Sequence, residues 1–290
     1  MKYFLVLPVL AAILVSGCTL QGGQITAGKG IVIENFEPDF SQIYSTESVQ
    51  LALKVKNLGA VNGEVKKVEL TGADWEGNQQ CTPDITGGFL PAVPSEGITG
   101  ETKTCTWEMK PKENEIPAGL SMTYHLIARV TYGYTTSTVK SITIGTSDEL
   151  RNLQNAGGAL PADTISTTSG PIAIDIISKS PVRVSDAGGF EFPIELKITN
   201  VGGGIACKTD QCKQDEWNKV TIAVTPSSGI SIVDGCDEGE YSLWRGKDNT
   251  IVCRLKADSI AGGRQQKLIT VTAKYGYIVD ATTSVTVTGQ

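Results

Sequence analysis

The strongest constraint on the fold of this 290-residue chain is that it repeats itself once. Leu51-Ala52-Leu53-Lys54-Val55-Lys56-Asn57-Leu58-Gly59 recurs 143 positions on as Ile194-Glu195-Leu196-Lys197-Ile198-Thr199-Asn200-Val201-Gly202. Val130-Thr131-Tyr132-Gly133-Tyr134 recurs at the same offset as Ala273-Lys274-Tyr275-Gly276-Tyr277, and Ile31-Val32-Ile33-Glu34 matches Ile172-Ala173-Ile174-Asp175 at 141. Self-similarity of this kind means one folding unit used twice. Each unit, at about 120 residues, is long enough to bury its own core.

Within each unit the apolar positions alternate. Leu51, Leu53 and Val55 share one face while Ala52, Lys54 and Lys56 take the other, and Ile194, Leu196 and Ile198 repeat the pattern. Later, Tyr124, Leu126, Ala128, Val130 and Tyr132 line one face, matched by Ile269, Val271, Ala273 and Tyr275. A period of two is the signature of half-buried strands, and no sustained 3.6-residue period competes with it. The class is all-β. With about seven short strands per unit punctuated by turn residues, the expected architecture is two tandem immunoglobulin-like antiparallel β-sandwiches, a closed barrel being the main alternative. Asn57 and Asn200, each ahead of a Gly-bearing turn, are of a type that tolerates the positive φ such turns often need.

These signals divide the chain into an N-terminal segment 1–17, a tether 18–29, a first sandwich 30–146, a linker 147–169 and a second sandwich 170–290. Ser147 can cap one or two helical turns, after which Gly, Ala, Thr and Ser read as linker.

Residues 1–17 carry one lysine and an apolar run, Phe4 to Val15, too short to span a bilayer comfortably, which is the pattern of a secretory signal peptide. Val15-Ser16-Gly17-Cys18 resembles the lipobox of prokaryotic lipoproteins. That resemblance implies cleavage before Cys18 and lipidation of its thiol, so the protein is expected on the extracytoplasmic face of the cell membrane or at the cell surface, with the membrane as a partner through its N-terminal lipid. No later segment has the apolar length of a membrane helix, and the end at Val285-Thr286-Val287-Thr288 shows no anchor signal. The net charge of −6 argues against nucleic acid, which selects basic surfaces.

Seven cysteines become an even six once Cys18 is assigned to lipid. The repeat aligns Cys105 with Cys253 and Cys81 with Cys236, predicting Cys81–Cys105 and Cys236–Cys253 bridges. Cys207 and Cys212, in an insertion that the first repeat lacks, then close a local loop. A four-thiolate zinc site from Cys207, Cys212, Cys236 and Cys253 is the competing reading, but it favours two closely spaced pairs and only one is close.

Chemistry is sparse. The single histidine, His125, falls on the outward face of its strand, and no serine or cysteine has the surroundings of an activated nucleophile. Neither an enzyme nor a cofactor is expected. Asp234, Asp237, Glu238 and Glu240 form a glycine-punctuated acidic loop that is a weak calcium candidate beside the simpler reading of solvated acids. Trp75, Trp217 and Trp244 lie in or near loops and are weak candidates for an aromatic binding surface.

The strand ends Lys54-Val55-Lys56-Asn57-Leu58-Gly59 and Lys197-Ile198-Thr199-Asn200-Val201-Gly202, each followed by a late strand entering Tyr-Gly-Tyr, resemble the bacterial and archaeal cell-adhesion-related modules known as CARDB. The resemblance implies immunoglobulin-like domains used as stalks or adhesive modules. The expected function is a non-catalytic, lipid-anchored surface protein presenting two such domains for adhesion, envelope architecture or contact with an envelope or surface protein. The alternative is a carbohydrate-binding surface lipoprotein with a glycan as partner.

Overall fold

A computed structural model describes residues 28–290 except 113–114, 160–161, 185–188, 237 and 261–262. The signal segment, Cys18 and Asp237 lie outside the described residues. The first repeat supplies β1 (Ile31–Pro38), β2 (Gln42–Tyr44), β3 (Val49–Asn57), β4 (Gly63–Thr71), β5 (Glu76–Gly77), β6 (Gly87–Phe89), β7 (Thr102–Lys110) and β8 (Ser121–Thr146). One helix, α1 (Ser147–Asn155), and β9 (Ile165–Thr167) follow. The second repeat supplies β10 (Ile172–Ser178), β11 (Val182–Val184), β12 (Phe190–Asn200), β13 (Ile205–Cys207), β14 (Lys219–Pro226), β15 (Ile230–Asp234), β16 (Gly239–Ser242), β17 (Asp248–Ala257) and β18 (Arg264–Thr288). Among the described residues the chain is all-β around this one short α-helix.

Two four-stranded sheets, β1-β3-β7-β5 and β10-β12-β17-β15, come one from each repeat. Their alternating residues reach the core as the sequence pattern requires: Leu51, Leu53, Val55, Ile194, Leu196 and Ile198 are all buried. Both sheets share a continuous apolar core with a ten-stranded sheet in which six strands run in the order β16-β14-β18-β8-β4-β6 and β2, β9, β11 and β13 pair onto β18 or β8 off that path.

That larger sheet belongs to neither repeat alone. β8 and β18 pair antiparallel along their whole length, from Ser121 opposite Thr288 to Gly145 opposite Arg264. At 26 and 25 residues they run on the order of 80 Å. The first half of β8 pairs with β4 of its own repeat, but its last three residues pair parallel with β11 of the second repeat. Reciprocally, β18 pairs first with β14 of its own repeat and ends parallel to β2 of the first. Each repeat is thus completed by the other's last strand. The large sheet is shared between residues 30–146 and 170–290.

The segment expected as linker is also built in. Thr146, rather than Ser147, caps α1 by accepting from the Glu149 amide, and Leu150 lies over Gly145. β9 then joins the large sheet beside Val139. At the other end of the described chain, Gly28 packs directly against Gly170, so both repeats start at the same place.

Asn57 and Asn200 do not adopt positive φ. Their side chains clamp the turns instead. Asn57 Nδ2 donates to the Val61 and Phe89 carbonyls while its Oδ1 accepts from the Gly59 amide. Asn200 does the same with Gly204, Gly246 and Gly202.

Candidate functional site at the strand crossing

The two Tyr-Gly-Tyr motifs meet at the centre of the β8–β18 ladder. Tyr132 lies opposite Tyr277, Gly133 opposite Gly276 and Tyr134 opposite Tyr275. Alternation sends all four rings to the core side, where neighbouring centroids are 5.6–6.3 Å apart in tilted or edge-on contact, the separation at which such rings attract. Their hydroxyls hold the start of each repeat. Tyr277 Oη donates to Asn200 Oδ1 at 2.7 Å and accepts from the Gly204 amide at 2.8 Å. Tyr134 Oη donates to the Ser169 carbonyl and accepts from the Val61 amide. Tyr275 Oη bonds the Thr136 hydroxyl at 2.7 Å and accepts from the Ile172 amide.

Burial raises the pKa of every one of these phenols, Tyr277 to about 12. They are neutral at physiological pH; Tyr134, Tyr275 and Tyr277 serve as hydrogen-bonding clamps, whereas the buried Tyr132 hydroxyl has no partner among the described residues. The close approach demands glycine at two positions: a Cβ on Gly59 would stand 1.7 Å from Tyr134 Oη, and one on Gly202 would stand 2.5 Å from Tyr277 Oη.

On the opposite side of the sheet the repeats diverge. Glu64 pairs with Gly133 and Cys207 with Gly276, which makes these equivalent positions. After Glu64 the first repeat has a bulge between Val65 and Lys67, whereas the second inserts a loop through Asn218 at that point. An existing bulge already breaks the ladder, so an insertion there interrupts no further pairing. The Cys207–Cys212 disulfide closes the loop, and half-buried Trp217 packs against it, donating from Nε1 to the Cys212 carbonyl at 3.2 Å. Asp210 reaches over to the first repeat, where Lys66 Nζ binds Asp210 Oδ2 at 3.1 Å and Glu64 Oε1 at 2.7 Å.

The remaining candidates are distributed away from the crossing. Cys81 is bonded to Cys105 and Cys236 to Cys253. With all six of these cysteines in disulfides, no thiolate set is available for zinc, which removes that reading. In the acidic loop, Glu240 is held by Lys208 at 2.8 Å and Lys219 at 2.9 Å, which lowers its pKa, and Asp234 faces Arg254. Glu238 is exposed. Among the described residues no cluster of three or more His, Cys, Asp or Glu is placed to hold a metal. Trp75 is only 2% exposed and lies edge-on to Tyr124. Trp244 is 72% exposed with the Arg245 guanidinium 5.8 Å from its ring centroid. The three tryptophans do not form a shared platform. His125 is exposed on the outward side of β8.

Sequence reasoning missed the meeting of the two Tyr-Gly-Tyr motifs and the ion pairs from Lys66. The available signal was the length of alternation from Ser121 to Thr146, which lacks Pro, Asn or Asp throughout.

The chain matches no protein-family model, and no curated protein is similar to it. Among solved structures it is similar to a protein of unknown function from Porphyromonas gingivalis W83, at 11% identity and a TM-score of 0.21, over 79% of this chain and 83% of that one. It is similar to the secreted serine protease VesC from Vibrio cholerae at 9% identity and a TM-score of 0.23, over 88% of this chain, which spans about half (51%) of the protease. A third likeness is to the collagen adhesin of S. aureus, at 7% identity and a TM-score of 0.12, over 88% and 92% of the two chains. At these scores none carries an assignment. Three disulfides are the mark of an oxidising, extracytoplasmic compartment. Among the described residues no helix is long and apolar enough to cross a membrane.

Proposed function

We propose that this is a non-catalytic surface protein, anchored through lipid on Cys18, that presents two CARDB-like immunoglobulin sandwiches as one rigid body for adhesion, envelope architecture or contact with another envelope protein. The reading is supported above all by the β8–β18 exchange. It removes the flexible connection that independent modules would have and fixes the two lobes relative to each other. The tyrosines at the crossing, buried and neutral, suit a structural joint. The lobes leave their outer loops, including the Trp244 turn, free to touch a partner.

In-cell crosslinking of the full-length protein, compared with Cys18→Ser, tests this function. The expected result is one specific envelope protein captured by the wild type and lost when the variant leaves the membrane fraction. Retention of Cys18→Ser in the membrane would remove the anchor from the proposal. Substrate turnover that survives Cys18→Ser would remove the non-catalytic reading.

A further inference from the structure

Beside the crossing, the divergence between repeats leaves a cleft of about 490 Å³ on the outward side of the large sheet. On the second repeat's side the disulfide loop sits directly on Gly276, with the Thr209 carbonyl where a Cβ would be. The first repeat has no such loop, and Gly133 is approached only by the Asp210 side chain, whose Cβ would stand 3.2 Å from a Cβ placed there. Gly63, Gly88 and Gly133 contribute bare backbone to the cleft lining, and a Cβ on Gly88 would meet nothing within 4 Å. Asn62, Glu64, Thr135, Lys208 and Asp210 complete the lining. Tyr134 and Tyr275 also border it but are almost wholly buried, at 4% and 3% exposed.

The charges around this cleft cancel. Lys66 is bonded to both Glu64 and Asp210, and Lys208 to Glu240. A charged ligand would have to displace one of these pairs, and a wholly apolar one would leave the polar share of the lining unpaired. What the lining offers is an interleaved set of donors, from the Asn62 amide, the Thr135 hydroxyl and the Lys208 ammonium, and acceptors, from the Glu64 and Asp210 carboxylates. A ligand hydroxyl both donates and accepts, and so matches such a set without carrying charge. The volume falls in the usual range of about 300–1,000 Å³ for small-ligand sites.

We infer that this cleft binds a neutral, polyhydroxylated ligand, namely a short segment of uncharged oligosaccharide. The site goes beyond the rigid-presenter reading above and stands or falls separately from it. The cleft is made by the insertion in one repeat, so one molecule has one such site.

Calorimetric titration of the full chain tests this, using uncharged oligosaccharides of glucose, mannose and N-acetylglucosamine beside sialylated and sulfated ones. Saturable binding of at least one uncharged oligosaccharide is expected, with no preference for the charged series. Gly88→Phe, which fills the cleft from an open position, and Lys208→Ala, which removes a charged donor, should each weaken binding on the order of tenfold or more with the melting temperature unchanged. Should Gly88→Phe not fold, Asn62→Ala takes its place. No saturable binding of any uncharged oligosaccharide, binding confined to the charged series, or unchanged affinity in the variants overturns the assignment.

Discussion

Gly133 and Gly276 lie directly opposite each other in the β8–β18 ladder, and each is the other's equivalent in the repeat. An antiparallel pair in which a residue meets its own counterpart has a local two-fold axis at that point. The duplicated chain is therefore arranged like a symmetric dimer joined covalently, with an isologous contact at its centre. The tyrosines flanking these glycines occur in matched pairs for the same reason.

Exchange within one chain makes a direct prediction at Thr123 and Thr286, which face each other with hydroxyls 3.0 Å apart. The double variant Thr123→Cys/Thr286→Cys should oxidise to an internal crosslink, seen as a faster-migrating monomer on a non-reducing gel. A covalent dimer as the main product would instead show that the strands exchange between molecules.

A single backbone cut between the repeats should not separate them. With a protease site inserted after α1, near exposed Gly157, the nicked halves are expected to co-elute in gel filtration and to part only on denaturation. Separation under native conditions would contradict the shared sheet.

Alkaline pH should weaken the fold through the crossing. The unfolded phenol titrates near 10 and Tyr277 in the folded chain near 12, so the folded state favours the protonated form. The stability this provides is complete below pH 10 and is lost as the pH rises through 12. Thermal melts from pH 8 upward, read beside phenolate absorbance, should show this decline, smaller in Tyr277→Phe. That variant also takes the acceptor from the Gly204 amide and one of the donors from Asn200 Oδ1, at a cost of about 1–3 kcal/mol at neutral pH.

Two glycine substitutions separate packing from composition. Gly59→Ala drives a methyl into Tyr134 Oη and should destabilise by about 1–3 kcal/mol. Gly88→Ala enters open space and should leave the melting temperature within a degree or so. Equal effects from the two would contradict the close approach at the crossing.

Much of the strand content was legible because alternation reports burial directly: Leu51, Leu53, Val55 and their second-repeat equivalents point where the period of two puts them. The exchange was not legible in the same way. Periodicity states which face a residue occupies but not which strand lies beside it, and Gly133 looks like a turn between two ordinary strands. Nothing around it, however, forces a reversal, since Tyr132, Tyr134, Thr135 and Thr136 all favour extended backbone. The asparagines were misread through their tolerance of positive φ, when their amides could hold the turn from the side. At the candidate cleft, Lys208 and Asp210 were visible only as residues of an insertion. Their pairing with Glu240 and Lys66 depends on where that loop lands.

The entry of the chain at Gly28 beside Gly170 bears on how load would pass through the molecule. Gly28 lies at the midpoint of the body, with a lobe on either side like the arms of a yoke. Tension applied between one lobe's tip and Gly28 would run along β8 and β18, whose peptide backbones continue through the joint into the opposite lobe. Pulling the arms apart would mean drawing each exchanged half-strand lengthwise out of its seat, with its rungs loaded together rather than one after another. A protein built this way yields by unfolding, not by bending at a hinge.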